Sequence, residues 1–251
     1  MKILHVVNWI NVRGTERACL NIAKYSEGNE HIFLAHSILS KEALKEFEKH
    51  GRVVITVESS PLSFDYPVVE ELVEEEEIDL VHIYLPVPIV LTVVCTKLCN
   101  FERTWNMKHV LVPSKFAASL NPQLSPTVIN YGVERNEPTV TNRKKFIKRH
   151  LSYTPDDDTL LVSRLGAIEP LKRVDDFIYI ANQFNGSNTL FVLAGQGEEE
   201  YVKMLLSHVD NPAFVYLDSP TEELKTNLLY HTDVCLYPTE YEAFGFSLVE
   251  P

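Results

Sequence analysis

Two glutamates, Glu242 and Glu250, stand eight residues apart around the segment Ala243-Phe244-Gly245-Phe246-Ser247-Leu248-Val249. Eight residues is a little over two helical turns. A helix starting near Gly245 would therefore place both carboxylates near one rim, Glu242 in the preceding loop and Glu250 about two turns in. The backbone N–H groups of residues 243–246 would form a helix start that favours anions. Carboxylates accept from hydroxyl groups and N–H groups cradle phosphate, so the set suits a ligand rich in hydroxyls that also carries phosphate. Two cations point the same way. Arg164 closes the apolar run Thr159-Leu-Leu-Val-Ser163, and Lys172 stands at the start of the next helical pattern. Arginine grips phosphate with a planar fork, and lysine acts as a point charge.

The elements that must position these groups alternate along the whole chain. Continuous apolar runs predict strands over 2–7, 31–35, 53–57, 80–83, 108–112 and 127–129. Between them, apolar residues at helical spacing predict helices over 15–25, 40–50, 68–77, 87–98 and 114–120, with Ser114 as a cap. Residues 134–149 are polar and basic and mark the domain boundary. The alternation then resumes, with strands over 159–163, 189–194, 213–217 and 234–237 and helices over 174–184 and 199–207. A further helix is expected to start at Ser219-Pro220-Thr221-Glu222, with Ser219 as cap, Pro220 in the first position and Glu222 closing a capping box. Strands alternating with helices argue for parallel, doubly wound sheets in both halves. In such sheets ligands bind outside the C-terminal strand ends. Arg164 stands at such an end, and so do Gly14, Gly195 and Gly197, whose lack of a side chain allows tight turns. His82, in Leu80-Val-His-Ile83, is open to two readings, ligand contact and core packing.

Composition narrows the class. The 251 residues are 45% hydrophobic and 23% charged, as in a globular protein of two ordinary domains. A net charge of -12 argues against a nucleic-acid partner. The basic residues between Glu134 and Arg149 lack interleaved aromatics apart from Phe146, so they read as a solvated helix face. Cys19, Cys95, Cys99 and Cys235 lie in apolar stretches with no metal-ligand spacing, which suggests buried thiols in a reducing compartment. The most apolar window, 85–95, contains Pro86 and Pro88 and is too short to span a bilayer.

The wider pattern of Tyr237-Pro238-Thr239, Glu242-Ala243-Phe244-Gly245 and Glu250 resembles the E-x7-E signature of retaining GT-B glycosyltransferases, family 4 in particular. Other segments add to the resemblance in order along nearly the whole chain. Arg13-Gly14-Thr15-Glu16-Arg17 is similar to the G-G-x-E-R loop, Asp79-Leu-Val-His82 to the D-x-V-H strand, and Asn130-Tyr-Gly-Val133 to the N-G-V segment. Arg164-Leu165 with Lys172 is similar to R-L…K-G, and Leu193-Ala-Gly195-Gln-Gly197 to L-x-G-x-G.

The resemblance implies an α/β GT-B fold, two Rossmann-like doubly wound domains facing a cleft. Residues 1–135 would form the acceptor-side domain and residues 136–251 the nucleotide-sugar domain. It implies transfer of a sugar, with retention, from a nucleotide diphosphate sugar. Arg164 and Lys172 would hold the diphosphate, Glu242 the donor sugar and Glu250 the ribose. Glu242, Arg164 and Lys172 would carry catalysis, while Gly14, Gly195, Gly197, Phe244 and Gly245 would line the donor site and His82 would meet the acceptor. The acceptor would be a glycan, a lipid or a protein. No cofactor or metal is expected, because the Arg/Lys pair supplies the charge. The expected location is cytoplasmic, with peripheral membrane contact allowed.

Several departures accompany the resemblance. Arg13, Arg173 and Asp218 stand where the family usually has glycine, and residues 100–107 replace a strand, loop and helix. The family continues beyond the position of Pro251, so the expectation is a second sheet without its final strands. These departures keep a second reading open, a catalytically inactive GT-B module that binds nucleotide sugar or a partner subunit.

Overall fold

The computed structural model describes residues 1–11, 14–56, 66–86, 90–96, 109–120, 122, 125–240, 242 and 244–249. The chain forms two compact units, Met1–Gly132 and Val133–Pro251.

The first unit contains β1 (Lys2–Ile10), α1 (Gly14–Tyr25), β2 (Glu30–Ile38), α2 (Lys41–Glu48), β3 (Arg52–Ile55) and α3 (Tyr66–Glu75). It continues with β4 (Leu80–Pro86), β5 (Val90–Thr96), β6 (His109–Val112), α4 (Lys115–Leu120) and β7 (Thr127–Val128). These strands make one sheet in the order β3-β2-β1-β4-β5-β6-β7. The first four in this order are mutually parallel, with β1 between β2 and β4. Strand β1 is largely apolar because helices cover both faces. Leu4 and Val6 pack with Val69 and Leu72 of α3 on one side. Val7 and Ile10 pack with Cys19 and Ala23 of α1 and Phe47 of α2 on the other.

The helix expected over 87–98 is instead the strand β5, antiparallel to both β4 and β6. The sequence Val90-Leu-Thr-Val-Val-Cys-Thr96 explains the correction. Five of its seven residues are β-branched, a composition that favours the pleated sheet over the helix, and Pro86 and Pro88 precede it. The first sheet is therefore mixed, with β7 again parallel to β6. Cys99 and residues 100–107 lie outside the described residues.

The second unit contains α5 (Arg143–His150), β8 (Leu160–Leu165), a 3-10 turn (Pro170–Lys172), α6 (Val174–Gln183), β9 (Thr189–Gly195), α7 (Glu199–Leu206), β10 (Phe214–Asp218), α8 (Glu222–His231), β11 (Val234–Cys235) and α9 (Phe246–Val249). The sheet order is β10-β9-β8-β11, all parallel. Val162, Phe191 and Leu193 meet α6 and α7 on one face. Leu161, Leu190 and Val192 meet Phe146 and Ile147 of α5 and Leu228 of α8 on the other. The chain winds from β8 to β9 to β10 in one direction and returns to place β11 on the far side of β8. The switch point of the sheet thus lies between β8 and β11, where open α/β sheets hold ligands.

Caps fix most helix starts. Asn142 accepts from Lys145 N at 2.9 Å, and Ser114 accepts from Ala117 N at 3.0 Å. For α8 the cap is Thr221, which accepts from Leu224 N at 3.2 Å, and not Ser219 as the sequence suggests. Ser219 has φ 45°, so the chain is still turning there, and the helix begins two residues beyond the expected start. Asp233 closes the base of the unit. It accepts from Leu161 N at 2.7 Å and from both terminal nitrogens of Arg143 in a fork that ties α5 to the entrances of β8 and β11.

Candidate functional site

Arg164 leaves the C-terminal end of β8 on the face covered by α6 and α7. Its guanidinium is almost fully buried, the residue being 2% exposed. Nη2 donates to the carbonyls of Ala167 at 3.2 Å and Lys172 at 3.3 Å, so the side chain gathers the loop that follows its own strand. Nε and Nη1 are buried and have no hydrogen-bond partner. Burial lowers the guanidinium pKa from its ordinary value, and the charges of Tyr237, Glu242 and Tyr201 oppose that shift. A buried cation with two unused donors suits an anion.

The loop that Arg164 gathers is fastened on both sides. Ile168 N donates to Gln196 O at 2.9 Å, and Ile168 forms a parallel bridge with Gly197. A Cβ on Gly197 would lie 2.4 Å from Ile168 O, and a Cβ on Gly195 would lie 1.9 Å from Gly166 O. Both glycines are required by the close approach of these two turns. On the other side, Glu240 N donates to Leu171 O at 3.1 Å and the Thr239 hydroxyl to the same carbonyl at 3.4 Å. These bonds bring the loop after β11 against the 3-10 turn.

At that contact Lys172 Nζ donates to Glu242 Oε1 at 2.5 Å, and both side chains are about one-quarter exposed. Gly245 takes φ 79°, which glycine reaches without strain, and Leu248 N donates to Gly245 O at 2.8 Å as α9 begins. Phe244 and Phe246 form an edge-to-face pair with centroids 5.1 Å apart. Ser247 of α9 lies beside the residue that follows β8, its Oγ 3.1 Å from where a Cβ on Gly166 would be. Arg164, Lys172, Glu242 and Gly245 therefore meet at the C-terminal ends of β8 and β11, with Gly195 and Gly197 one strand away.

Glu250, like Arg13 and Ala243, lies outside the described residues. Gly14 opens α1 in the first unit. His82 is buried in β4, 6% exposed. Its Nδ1 lies 3.0 Å from the Tyr84 hydroxyl, which is 3.3 Å from His5 Nδ1. His5 Nε2 is 2.9 Å from His31 Nδ1, and His31 Nε2 is 3.0 Å from Ser26 Oγ. His82 Nε2 has no partner. Burial pulls the His82 pKa down to about 4.

The sequence reading missed Tyr201 on α7, whose pKa burial and the charge of Asp175 raise while the charges of Arg164 and Arg173 oppose them. Nothing local marks it, because its approach to Arg164 depends on how α7 packs. Arg173, where the resemblance expects glycine, has φ 48° and ψ 50°. That left-handed backbone is the physical reason glycine suits the position. Arg173 answers it with ion pairs to Asp175 at 3.5 Å and Asp176 at 2.9 Å. Among the described residues no group of three or more His, Cys, Asp or Glu side chains could hold a metal ion, and no helix is long and apolar enough to cross a membrane.

No protein-family model and no curated protein matches the sequence. Solved structures do match its fold. Anabaena Alr3699/HepE in complex with UDP and glucose superposes with a TM-score of 0.72 at 15% identity, covering 100% of this chain and 77% of that one. WaaG, a glycosyltransferase involved in lipopolysaccharide biosynthesis, gives 0.71 at 14% identity, with 99% and 78% covered. A glycosyltransferase from Rickettsia africae ESF-5 gives 0.70 at 15% identity, with 99% and 76% covered. At these identities the likeness is one of fold: the chain has the α/β GT-B fold of solved glycosyltransferases.

Proposed function

We propose that this protein is a retaining glycosyltransferase of the family 4 type, taking its sugar from a nucleotide diphosphate sugar. The observation that carries the reading is the buried Arg164 guanidinium, with two unclaimed donors, beside the Lys172–Glu242 pair at the switch point of the second sheet. In this reading Arg164 and Lys172 take the diphosphate and stabilise the charge that develops on it as the glycosidic bond breaks. These two cations do the work that a divalent ion does elsewhere. Glu242 accepts from hydroxyls of the donor sugar, and Glu250 accepts from the ribose. Gly195 and Gly197 let the backbone pass close to the nucleotide, and Phe244 and Gly245 shape the sugar end. Gly14 and His82 belong to the acceptor-side unit.

In this reading the acceptor attacks the face from which the diphosphate departs, so the configuration at the sugar is retained. The acceptor is a glycan, lipid or protein hydroxyl. Fold neighbours whose structures hold UDP and glucose or UDP-glucose support a nucleotide sugar as donor.

The test is a panel of nucleotide diphosphates and their sugars, with and without EDTA, read by thermal shift and by release of free nucleotide. The expected result is stabilisation that survives EDTA, about 2.7 kcal/mol at 100 times Kd, with nucleotide released from one sugar donor. If no nucleotide diphosphate raises the melting temperature, the reading is wrong. Stabilisation without nucleotide release would identify an inactive binding module.

A further inference from the structure

Resting on the reading of this site as a diphosphate site, we propose that Glu242 has a second role: it is the resident counter-anion of the empty protein, and an incoming diphosphate displaces it from Lys172. The charges come first. Arg164 and Lys172 stand at one site, and Glu242 is the carboxylate that pairs Lys172 among the described residues, at 2.5 Å. Both partners are about one-quarter exposed, so water screens them only in part. Arg164 keeps Nε and Nη1 unpaired, so one carboxylate serves two cations. A diphosphate carries more charge and more acceptor oxygens than that carboxylate and can engage both cations together.

The loop that bears Glu242 does not depend on the ion pair for its position. Glu240 N and the Thr239 hydroxyl fasten it to Leu171 O. The Glu242 side chain can therefore leave Lys172 without the loop moving. Exchange puts it to use: the carboxylate released from Lys172 is the one that then accepts from a sugar hydroxyl. When the diphosphate departs, Glu242 returns to Lys172 and closes the empty site electrostatically. Ligand affinity is accordingly reduced by the stability of the internal pair, since only the open arrangement binds.

The consequence runs against the usual expectation for a binding-site residue. Glu242→Gln keeps the shape and removes the competing charge, so it should bind inorganic pyrophosphate and free UDP more tightly than the wild type, by about fivefold for a partly exposed pair. Turnover of the sugar donor should fall in the same variant. In a Lys172→Met background the Glu242 substitution should bring no tightening, because the pair is already gone. Calorimetric titration of wild type, both single variants and the double variant with pyrophosphate and with UDP decides the matter, and thermal unfolding confirms that each is folded. Tighter binding by Glu242→Gln, lost in the double variant, supports the exchange. Equal or weaker binding by Glu242→Gln while the wild type binds overturns it and leaves the diphosphate site standing. Failure of wild type and Glu242→Gln alike to bind either probe overturns both.

Discussion

An arginine that is 2% exposed with two unpartnered guanidinium nitrogens is a local cost that the fold tolerates. Each buried donor left unsatisfied costs about 1–3 kcal/mol, and more beside a charge. Functional sites are where such costs persist. Arg164→Met fills much the same volume and removes the buried charge, although it also strips the carbonyls of Ala167 and Lys172 of a donor. Stability should therefore hold within about 1 kcal/mol or rise. Affinity for a nucleotide diphosphate should fall by roughly 1.5–3 kcal/mol, the worth of a charge-assisted hydrogen bond, while affinity for the nucleoside stays unchanged. Thermal unfolding and calorimetry on the same samples separate these effects. A variant that melts far below the wild type and still binds the diphosphate would show that Arg164 serves only to gather the 167–172 loop.

At the scale of elements, the site is held by two turns that touch through glycine. A methyl group on Gly195 would lie 1.9 Å from Gly166 O and 2.9 Å from Gly166 C, both backbone atoms with nowhere to go. Gly195→Ala should cost about 3 kcal/mol or more and separate the ends of β8 and β9. Gly132→Ala, where nothing lies within 4 Å, should stay within about 0.5 kcal/mol and serves as the control. Equal midpoints in urea for the two variants would refute the close-approach account. Much of this element plan is legible in the sequence. The runs that became β1, β8 and β9 are mostly apolar, and the Gly195-Gln-Gly197 turn is visible as composition. So are Arg164, Lys172 and Glu242, because the groups that meet in space all sit at strand ends or in the loops after them. What the sequence hid depends on tertiary context. The apolar residues of 90–96 fit a helix or a strand by hydrophobicity alone, and pairing with β4 and β6 decided for the strand. Ser219 and Thr221 are equally good caps by type, and only the backbone at Ser219 chose between them. The Lys172–Glu242 pair joins residues seventy apart and rests on the bonds that dock one loop on another.

The whole molecule divides its titrating core unevenly between the two units. The first unit buries His5, His31 and His82 in one chain of contacts through Tyr84 to Ser26. Burial, with the charges of His82 and His31, holds the His5 pKa well below its ordinary value. Burial also lowers His31 and brings His82 to about 4. The second unit has His231, lowered by burial against the hydrogen bond to Val140 O. A histidine with a depressed folded pKa takes up a proton more readily when unfolded. Its contribution to stability is complete above the unfolded value of about 6.5 and is lost as pH falls toward the folded value. His82 alone should lose roughly 2 kcal/mol by pH 5, and His5 and His31 should add to that loss. Asp233, whose pKa the hydrogen bonds from Arg143 lower, acts below its ordinary range near 3.8 and so outside this window. Both tryptophans, Trp9 and Trp105, belong to the first unit. Tryptophan fluorescence thus reports that unit while far-ultraviolet circular dichroism reports both. Between pH 7.5 and 5 the fluorescence midpoint in urea should fall steeply, and more than the midpoint of the remaining dichroism change. His82→Leu should flatten the dependence by removing a histidine whose pKa burial brings to about 4, while Tyr84 keeps its contact with His5. A fluorescence midpoint that stays level from pH 7.5 to 5 would show that the buried histidines do not titrate on unfolding, and the acid sensitivity of the first unit would have to be abandoned.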